Sequence, residues 1–561
     1  MLLPDQELRA LLLQSKTIDV ATLQSVIASA ANTQVSLEEA LVEKNVVTEE
    51  QLGLLVANYI KVPYVNLGKI TIPEDVFRIV PSRVARKFHM IAFARDADGI
   101  KLAMTNPRDT FLQQMIMHKT KQKVTAYLAT ERDISNTLQI YRKDLQQVFG
   151  QFIQEDLADG LAMHEDAPIA KIVDMLINFA YQDKASDIHI EPEEQDLLIR
   201  FRIDGILHDV LRLNKNLSDR VITRIKVLSR LRTDEHLSAQ DGKMRLQLEE
   251  ENLDIRVSII PIAEGEKVVM RLLSSKSNQL SLLDLGMNES DLKKVNAAIN
   301  KSYGMILSTG PTGSGKTTSI YSILKILNTR EKNITTIEDP VEYRIRGVNQ
   351  IQVNVKTNLT FANGLRSILR QDPNVIFVGE IRDSETAGIA VNAALTGHLV
   401  LSTLHTNDAA TALPRLVDMK VEPFLVASTV NVIIAQRLVR KICDVCKGPQ
   451  TIVVAEIAKH IPREFLIKHF GAAAQIQVFQ GRGCKVCHFT GYISRIGIFE
   501  VLEMTQTVKK LITDKEDSDV ITKQAMSEGM MTMLDDGLDK VKKGMTTIEE
   551  VLRVTKVESL T

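Results

Sequence analysis

Apolar positions change their period along the chain, and the changes mark its parts. In the first 60 residues, Leu8, Leu12, Ile18 and Leu23 recur 29 residues later as Leu37, Leu41, Val47 and Leu52, with helical spacing inside each unit. Each unit reads as a short amphipathic helix, a hydrophobic turn (Thr17-Ile18 or Val46-Val47), and a second helix. The caps are Asp19 and Thr48, with Glu50 or Gln51 near the third helical position. Two packed helical hairpins are expected. From residue 62 to about 109, alternating stretches at 90–94 and 100–104 predict a small α/β module. Helical spacing returns at 141–152. Residues 155–166 then mix acids and Gly160 without periodicity before Pro168, which predicts a linker.

Beyond it, Ile172, Met175, Leu176 and Phe179 predict a helix, and alternation at 187–191 and 197–203 predicts two strands around a turn at Gln195. Further strands at 244–248, 254–260 and 267–273 make residues 169–275 a mixed α+β domain. The pattern then shifts to apolar runs at 305–308, 334–337, 375–378 and 399–403, separated by helical stretches. That is the signature of a mostly parallel sheet covered on both faces, an α/β core. The most apolar long stretch, 424–435, is interrupted by Ser428, Thr429 and Asn431 and falls short of the roughly 18–20 residues of a spanning helix. The start carries Asp5 and Glu7 where an export signal carries cations, so no export is expected.

At about 100–200 residues per domain, 561 residues imply three or four domains. The 69 Lys+Arg and 70 Asp+Glu leave a net charge of -1, so no global field marks a nucleic-acid or acidic-lipid binder. Hydrophobic residues at 44% and charged residues at 25% exclude a disordered chain. Aromatics at 4%, with no Trp, speak against stacking platforms for single strands.

Between the first apolar run of the α/β core and a helix lies Gly310-Pro311-Thr312-Gly313-Ser314-Gly315-Lys316-Thr317, a full Walker A pattern. Its glycines let backbone N–H groups turn onto phosphates, and the next helix aims its positive end at them. Lys316 reaches the β/γ oxygens, and the Thr317 hydroxyl can ligate Mg²⁺. Hydrolysis also needs a carboxylate near the metal and another to orient or deprotonate water. Glu338-Asp339-Pro340-Val341-Glu342 and Gly379-Glu380-Ile381-Arg382-Asp383 follow two strands, where ligands of open parallel sheets bind. For Glu338 and Asp339, a helix cap or turn is the alternative. Ser384-Glu385-Thr386 begin a helix that Gly397 ends. His398 and His405 flank the strand at 399–403; they either sense the γ-phosphate or bond backbone at the strand ends.

Four cysteines are too few for a disulfide scaffold, but they form two CxxC pairs, Cys443/Cys446 and Cys484/Cys487. Two such turns complete a closed S₄ tetrahedron, the geometry of structural zinc. Lys441, Lys447, Arg482 and Lys485 offset its negative charge. Redox dithiols or inert thiols are the alternatives.

Taken together, Gly310–Thr317, Thr336-Ile337-Glu338-Asp339-Pro340-Val341-Glu342, Arg370-Gln371-Asp372-Pro373-Asn374 leading into Val378-Gly379-Glu380-Ile381-Arg382-Asp383, and Thr396-Gly397-His398 with Thr403-Leu404-His405-Thr406 resemble the secretion ATPase superfamily of type II secretion and type IV pili. They look like its Walker A, Asp box, Walker B and His box, in order. The resemblance extends to Ala185-Ser186-Asp187-Ile188-His189-Ile190-Glu191, Arg200-Phe201-Arg202-Ile203-Asp204-Gly205, Gln240-Asp241-Gly242 and the tetracysteine segment ending Thr490-Gly491-Tyr492. In all it covers residues 165–560. Asn374 departs from a frequent Asp but lies before the strand, away from the metal.

The resemblance implies a RecA-like P-loop ATPase domain preceded by a mixed α+β, PAS-like domain and a mainly helical N-terminal module. It divides the chain into a docking module (1–150), linker (151–168), α+β domain (169–280), ATPase domain (281–440), zinc insert (441–490) and C-terminal helical region (491–561). It implies ATP, Mg²⁺ and structural Zn²⁺, with Thr318 joining Gly310–Thr317, Glu338 and Asp339 at the nucleotide. Glu342 becomes a candidate general base and Glu380 the acid at the water and Mg²⁺, in no fixed rank. Arg256 and Arg271 look like arginines that reach the γ-phosphate from a neighbouring subunit, with strand-face salt bridges as the alternative. A guanidinium so placed is worth a factor of about 10³–10⁵. The whole implies a cytoplasmic homohexameric motor acting on an inner-membrane platform protein and reaching the membrane through partners. The zinc insert and long N-terminal region resemble assembly and export members rather than retraction motors. Pilus assembly leads, type II secretion is the alternative, and a nucleic-acid translocase or a non-catalytic nucleotide switch stands behind both. The first 60 residues also resemble a module that binds cyclic di-GMP in some relatives. Here Glu7-Leu8-Arg9, Ser36-Leu37-Glu38 and Asn45 replace its cations and glycines, so docking without the dinucleotide is expected.

Overall fold

In the computed structural model the described residues are 3–138 (apart from 16–17, 21, 25, 28–36, 44–45, 48, 71 and 97), 166–248, 252–273 and 281–555 (apart from 485–486 and 488). They fall in two units, one of Met1–Ile134 with Gln279–Thr561 and one of Ser135–Asn278. At the start of the chain, helical spacing gives α1 (Asp5–Gln14), α2 (Leu37–Glu43) and α3 (Glu49–Ile60), which bury Leu8, Leu12, Leu37, Leu41 and Leu52 in one cluster. Asp19 caps as expected, its Oδ1 accepting the Thr22 N–H at 2.9 Å. The cap at Thr48, the helical stretch at 141–152 and most of the linker lie outside the described residues. The small α/β module is a three-stranded sheet of β1 (Met90–Asp96), β2 (Gly99–Met104) and β3 (Val124–Leu128), the last parallel to β2.

The second unit opens with α4 (Asp166–Gln182), so residues 166–168, expected as linker, form a helical first turn. Pro168 suits such a position because the first N–H groups of a helix have no partner within it. An antiparallel six-stranded sheet follows in the order β6-β5-β4-β9-β8-β7. Its strands are β4 (Asp187–Pro192), β5 (Asp196–Ile203), β6 (Ile206–Asn214), β7 (Gln240–Gln247), β8 (Asn252–Ile262) and β9 (Gly265–Leu273), with α5 (Ser218–Ser229) after β6. One face is apolar and packs against α4 and α5 through Val173, Leu176, Phe201, Ile225, Ile255 and Met270. The other face carries charge. The strand β6 escapes the sequence reading because His208 and Asp209 break its alternation.

In the first unit, α6 (Glu289–Ile299) precedes the α/β core. Its sheet has seven strands in the order β12-β11-β13-β14-β10-β15-β18. They are β10 (Gly304–Thr309), β11 (Ile334–Glu338), β12 (Asn349–Gln352), β13 (Val375–Val378), β14 (Leu399–Leu404), β15 (Val430–Ile442) and β18 (Tyr492–Glu503). All run parallel except β18. Alternate residues feed separate cores: Met305, Leu307, Ile376 and Val378 face one cluster, and Ile306, Phe377, Leu399 and Leu401 the other. Helices α7 (Lys316–Leu327) and α8 (Ser384–Leu395) follow β10 and β13.

Between β15 and β18 the chain makes an excursion built on the antiparallel pair β16 (Lys447–Val453) and β17 (Gln475–Gly481). It ends in α9 (Gln506–Thr513), α10 (Ser518–Ser527), α11 (Met533–Lys542) and α12 (Ile548–Val554). The region expected as helical from 491 therefore begins with an edge strand of the main sheet. Residues 496–502 of β18 are buried without interruption, Glu500 included, so they lack the alternation that marks a half-buried strand.

Candidate functional site

The carboxyl ends of β10, β13 and β14 bring the candidate residues to one edge. After Thr309 the loop turns through Gly310 (φ 145°) and Gly315 (φ 91°) into α7. A Cβ at Gly310 would stand 2.6 Å from the Gln436 carbonyl, and one at Gly315 would stand 2.9 Å from Gln436 Nε2, so both positions need glycine. Lys316 is buried and donates to the Gly310 carbonyl at 2.8 Å and the Pro311 carbonyl at 3.1 Å. Burial holds its ammonium below the ordinary lysine value, against the pull of Glu380. Thr317 and Thr318 are half-buried in the first helical turn, while Thr312 and Gly313 are exposed at the loop tip. Among the described residues the buried Ser314 Oγ and Ser319 Oγ have no partner. A cradle of N–H groups at a helix start, with a lysine and spare hydroxyls, fits the phosphates of a nucleotide.

Two strands away, Glu380 leaves β13 and is nearly buried. Its Oε1 lies 2.6 Å from Arg382 and its Oε2 lies 3.2 Å from His405 Nε2. His405 follows β14, the strand between β13 and β10, so it stands between Glu380 and the phosphate loop. Asp383 caps α8 through the Thr386 N–H at 2.8 Å. Asp339 is exposed and Glu342 half-buried beyond β11.

Two expected site residues lie elsewhere. Glu338 turns inward, taking bonds from Tyr321, from Thr336 at 2.6 Å and from Gln350 at 3.1 Å. Burial pushes its pKa up, and with both oxygens engaged it holds the strand end rather than facing nucleotide. His398 sits at the amino end of β14, its Nδ1 2.9 Å from the Ala393 carbonyl. Seven residues at roughly 3.3 Å each put it about 23 Å from His405. Of its two readings, backbone bonding is the one the geometry supports.

In the second unit a row crosses the charged face: Arg202, Asp187, Arg271, Arg256 and Lys243 are register partners on β5, β4, β9, β8 and β7. Arg271 Nε donates to Asp187 at 3.0 Å while its side chain stays 61% exposed. The salt bridge kept as the alternative thus exists, with the guanidinium still accessible.

Sequence reasoning missed Gln436, and it gave Thr406 no role of its own. Gln436 Nε2 donates to the Ser314 carbonyl at 2.8 Å, fixing the phosphate loop from β15. Thr406 N–H donates to Thr309 Oγ1 at 3.1 Å and joins the His405 loop to the start of the phosphate loop. The amide Gln436 right after the apolar residues 432–435 of β15 was the available signal, because a buried polar group needs a partner.

The cysteines converge. Cys443 follows β15, Cys446 precedes β16, and Cys484 and Cys487 follow β17. Their sulfurs lie within 4.8 Å of one another, with separations of 3.9 Å (Cys443–Cys484), 3.8 Å (Cys446–Cys487) and 3.7 Å (Cys484–Cys487). A tetrahedron with metal–sulfur bonds of about 2.3 Å has edges of about 3.8 Å, so the set fits one tetrahedral ion. Bonds to Cys487 Sγ from Cys443 and from the N–H groups of Cys484 and Gly491 pull its pKa down to about 4. Burial pushes Cys446 up to about 11. Lys485 lies outside the described residues.

A family model described as type II/IV secretion system protein matches residues 162–553. The chain belongs to the type II/IV secretion system protein family. Membership makes it an ATPase with a RecA-like core. A model for the MshEN domain matches residues 60–147, after the repeat of the first 60 residues. Among family relatives, the type II secretion system protein E of Dickeya dadantii is 44% identical over 468 residues, 83% of this chain and 90% of its own. The type IV pilus assembly ATPase PilB of Myxococcus xanthus is 36% identical over 559 residues, 97% of each chain. The X-ray structure of the Legionella pneumophila ATPase DotB shares the fold, with a TM-score of 0.51 and 22% identity over 68% of this chain and 95% of that one. Among the described residues no helix is long and apolar enough to cross a membrane.

Lys316→Ala is expected to abolish ATP turnover. Glu380→Gln should lower kcat by about 10²-fold or more while nucleotide affinity, read by titration of a fluorescent analogue, stays within a few-fold. Unchanged turnover in Glu380→Gln would exclude a catalytic role. For the cysteine site, metal analysis of purified Cys484→Ser should show less than half the zinc of the parent; full zinc content would refute the S₄ assignment.

Proposed function

We propose that this ATPase is the extension motor of a type IV pilus, a cytoplasmic homohexamer that couples ATP hydrolysis to pilin polymerisation through an inner-membrane platform protein. The observation that carries this reading is the match to the Myxococcus pilus ATPase over 97% of both chains, N-terminal region included. A type II secretion motor is the second reading. It is favoured by the higher identity of the secretion relatives, 44% over 83% of this chain for the Dickeya protein.

In the proposed cycle ATP binds on Gly310–Thr317 with Thr318 beside them, and Lys316 releases the loop carbonyls for the β/γ oxygens. Thr317 and Glu380 would hold Mg²⁺, which when bound neutralises charge on those oxygens. Glu342 and Glu380 are the acids offered to the attacking water, and His405, bonded to Glu380, fixes that carboxylate's orientation. Arg256 and Arg271 of a neighbouring subunit complete the site by spreading charge off the γ-phosphate, and Asp187 holds Arg271 until then. Closing on that phosphate moves one domain against another, and the motion is delivered to the platform protein. Zinc on the four cysteines is structural, since four thiolates leave no open position. Near-zero net charge and few aromatics support a protein load over a nucleic acid. The N-terminal module docks without cyclic di-GMP, for want of the cations and glycines of binders.

The test is genetic, in the organism that carries the gene. Lys316→Ala should remove surface pili, seen by electron microscopy, and leave the secreted protein profile intact. Loss of secreted enzymes with pili retained would transfer the chain to the secretion reading.

A further inference from the structure

One buried acid has no part in the chemistry above. Glu500 lies on β18 with 6% of its surface exposed, and among the described residues no cation pairs with it. Its Oε1 accepts the Ala409 N–H at 2.9 Å, and the Met533 N–H also bears on the carboxylate, lowering its pKa. These two donors belong to different parts of the protein. Ala409 closes the loop that starts at His405, whose other end Thr406 ties to Thr309, one residue before the phosphate loop. Met533 is the first residue of α11, and that helix is stapled to β18 again where Asp536 accepts the Phe499 N–H at 2.8 Å. Beyond β18, Leu538 and Val541 of α11 pack in one cluster with Ile476 and Val478 of the cysteine-pinned hairpin.

We propose that Glu500 is a positioning residue that clamps the His405 loop to the start of α11, so that movement of this loop during turnover is passed to α11 and the four-cysteine hairpin behind it. The proposal rests on the family's ATPase activity and not on which machine the motor serves. A buried carboxylate without a cation is costly, and an apolar side chain would strand both N–H groups. Only an ionised acid offers an acceptor to each with no donor to place. Two acids face it, Asp408 in the loop and Asp291 on α6; Asp291 is partnered by Lys294 at 3.3 Å, whose ammonium also lies 3.5 Å from the Val501 carbonyl. The next acid on α11, Asp536, is neutralised by Lys540. Burial first, then Asp408, raises the Glu500 pKa to about 7. Below that value the added proton turns one oxygen into a donor, and the clamp loses an acceptor; above it both bonds hold.

The experiment uses the full-length protein and measures ATP turnover between about pH 6 and about pH 8.5, the window that brackets a group titrating near neutrality. Wild type should gain kcat as pH rises through about 7, with KM for ATP nearly constant. Glu500→Gln, shaped like the protonated acid, should stay near the wild-type acid-limb kcat at every pH, about tenfold below the alkaline plateau, the scale of one lost bond to a charged acceptor. Thr309→Val loosens the other end of the loop, so Thr309→Val with Glu500→Gln should be no slower than the slower single variant. Hydrogen exchange should show ATP changing protection at 405–411 and 529–537 together in wild type, and at 405–411 alone in Glu500→Gln. The proposal is overturned if Glu500→Gln keeps the wild-type profile, if its loss falls in KM, if the two losses multiply, or if the two segments still respond together. If thermal melts show that Glu500→Gln does not fold, Thr309→Val decides: a flattened profile supports the clamp, and a wild-type profile refutes it.

Discussion

The common direction of six neighbouring strands is the constraint from which the rest follows. Because β12, β11, β13, β14, β10 and β15 are parallel, every connection that leaves a carboxyl end emerges at the same edge, and every return is made by a crossover. The phosphate loop, Glu380, His405 and the acidic turn after β11 are distant in sequence and share that edge for this reason alone. The same rule removes His398. A residue that precedes β14 lies at the other edge whatever its chemistry, and there a neighbouring carbonyl bonds its ring.

A sheet covered on both faces makes its polar residues conspicuous, and several of those found there hold a turn or a neighbouring strand end. Gln436 on β15 bonds the phosphate loop, Ser402 and Thr403 on β14 bond the carbonyls of Val378 and Gly379, and Glu338 gathers Tyr321, Thr336 and Gln350. These bonds tie each strand end to its neighbour in a low-dielectric setting, where an unpaired partner is expensive. The edge is therefore rigid in its strands. Change is left to the loops between them, above all the segment 405–411, held at one end by Thr309 and at the other by Glu500.

What the sequence disclosed tracks how local each signal is. The Walker A glycines, the CxxC pairs and the four apolar runs are set by neighbours within about ten residues, and each appears where its pattern predicts. The strand β18 and the amide Gln436 depend on partners far along the chain: β18 pairs with β15, and Gln436 reaches back 122 residues to Ser314. No period or motif encodes such a pairing. Glu338 misled for a related reason. Beside Asp339 it looks like half of a metal-binding pair, but Glu338 ends β11 and is taken up by Tyr321, Thr336 and Gln350, whereas Asp339 lies past the strand and is exposed.

The cysteines answer a problem that the topology creates. The chain leaves the sheet at Ile442 and re-enters beside it at Tyr492, which is its register partner. An excursion of that length is built on a two-stranded hairpin, and such a hairpin has little stability of its own in water. Cys443 lies one residue past the exit, and Cys487 shortly before the return, with Cys446 and Cys484 at the base of the hairpin. An ion held by all four would fix the neck of the excursion, and loop closure is where a crosslink contributes most. The body of the hairpin is then free to pack on α11 and α12 through Ile476, Val478, Leu538 and Val551. That packing joins the excursion to the C-terminal helices through one apolar cluster.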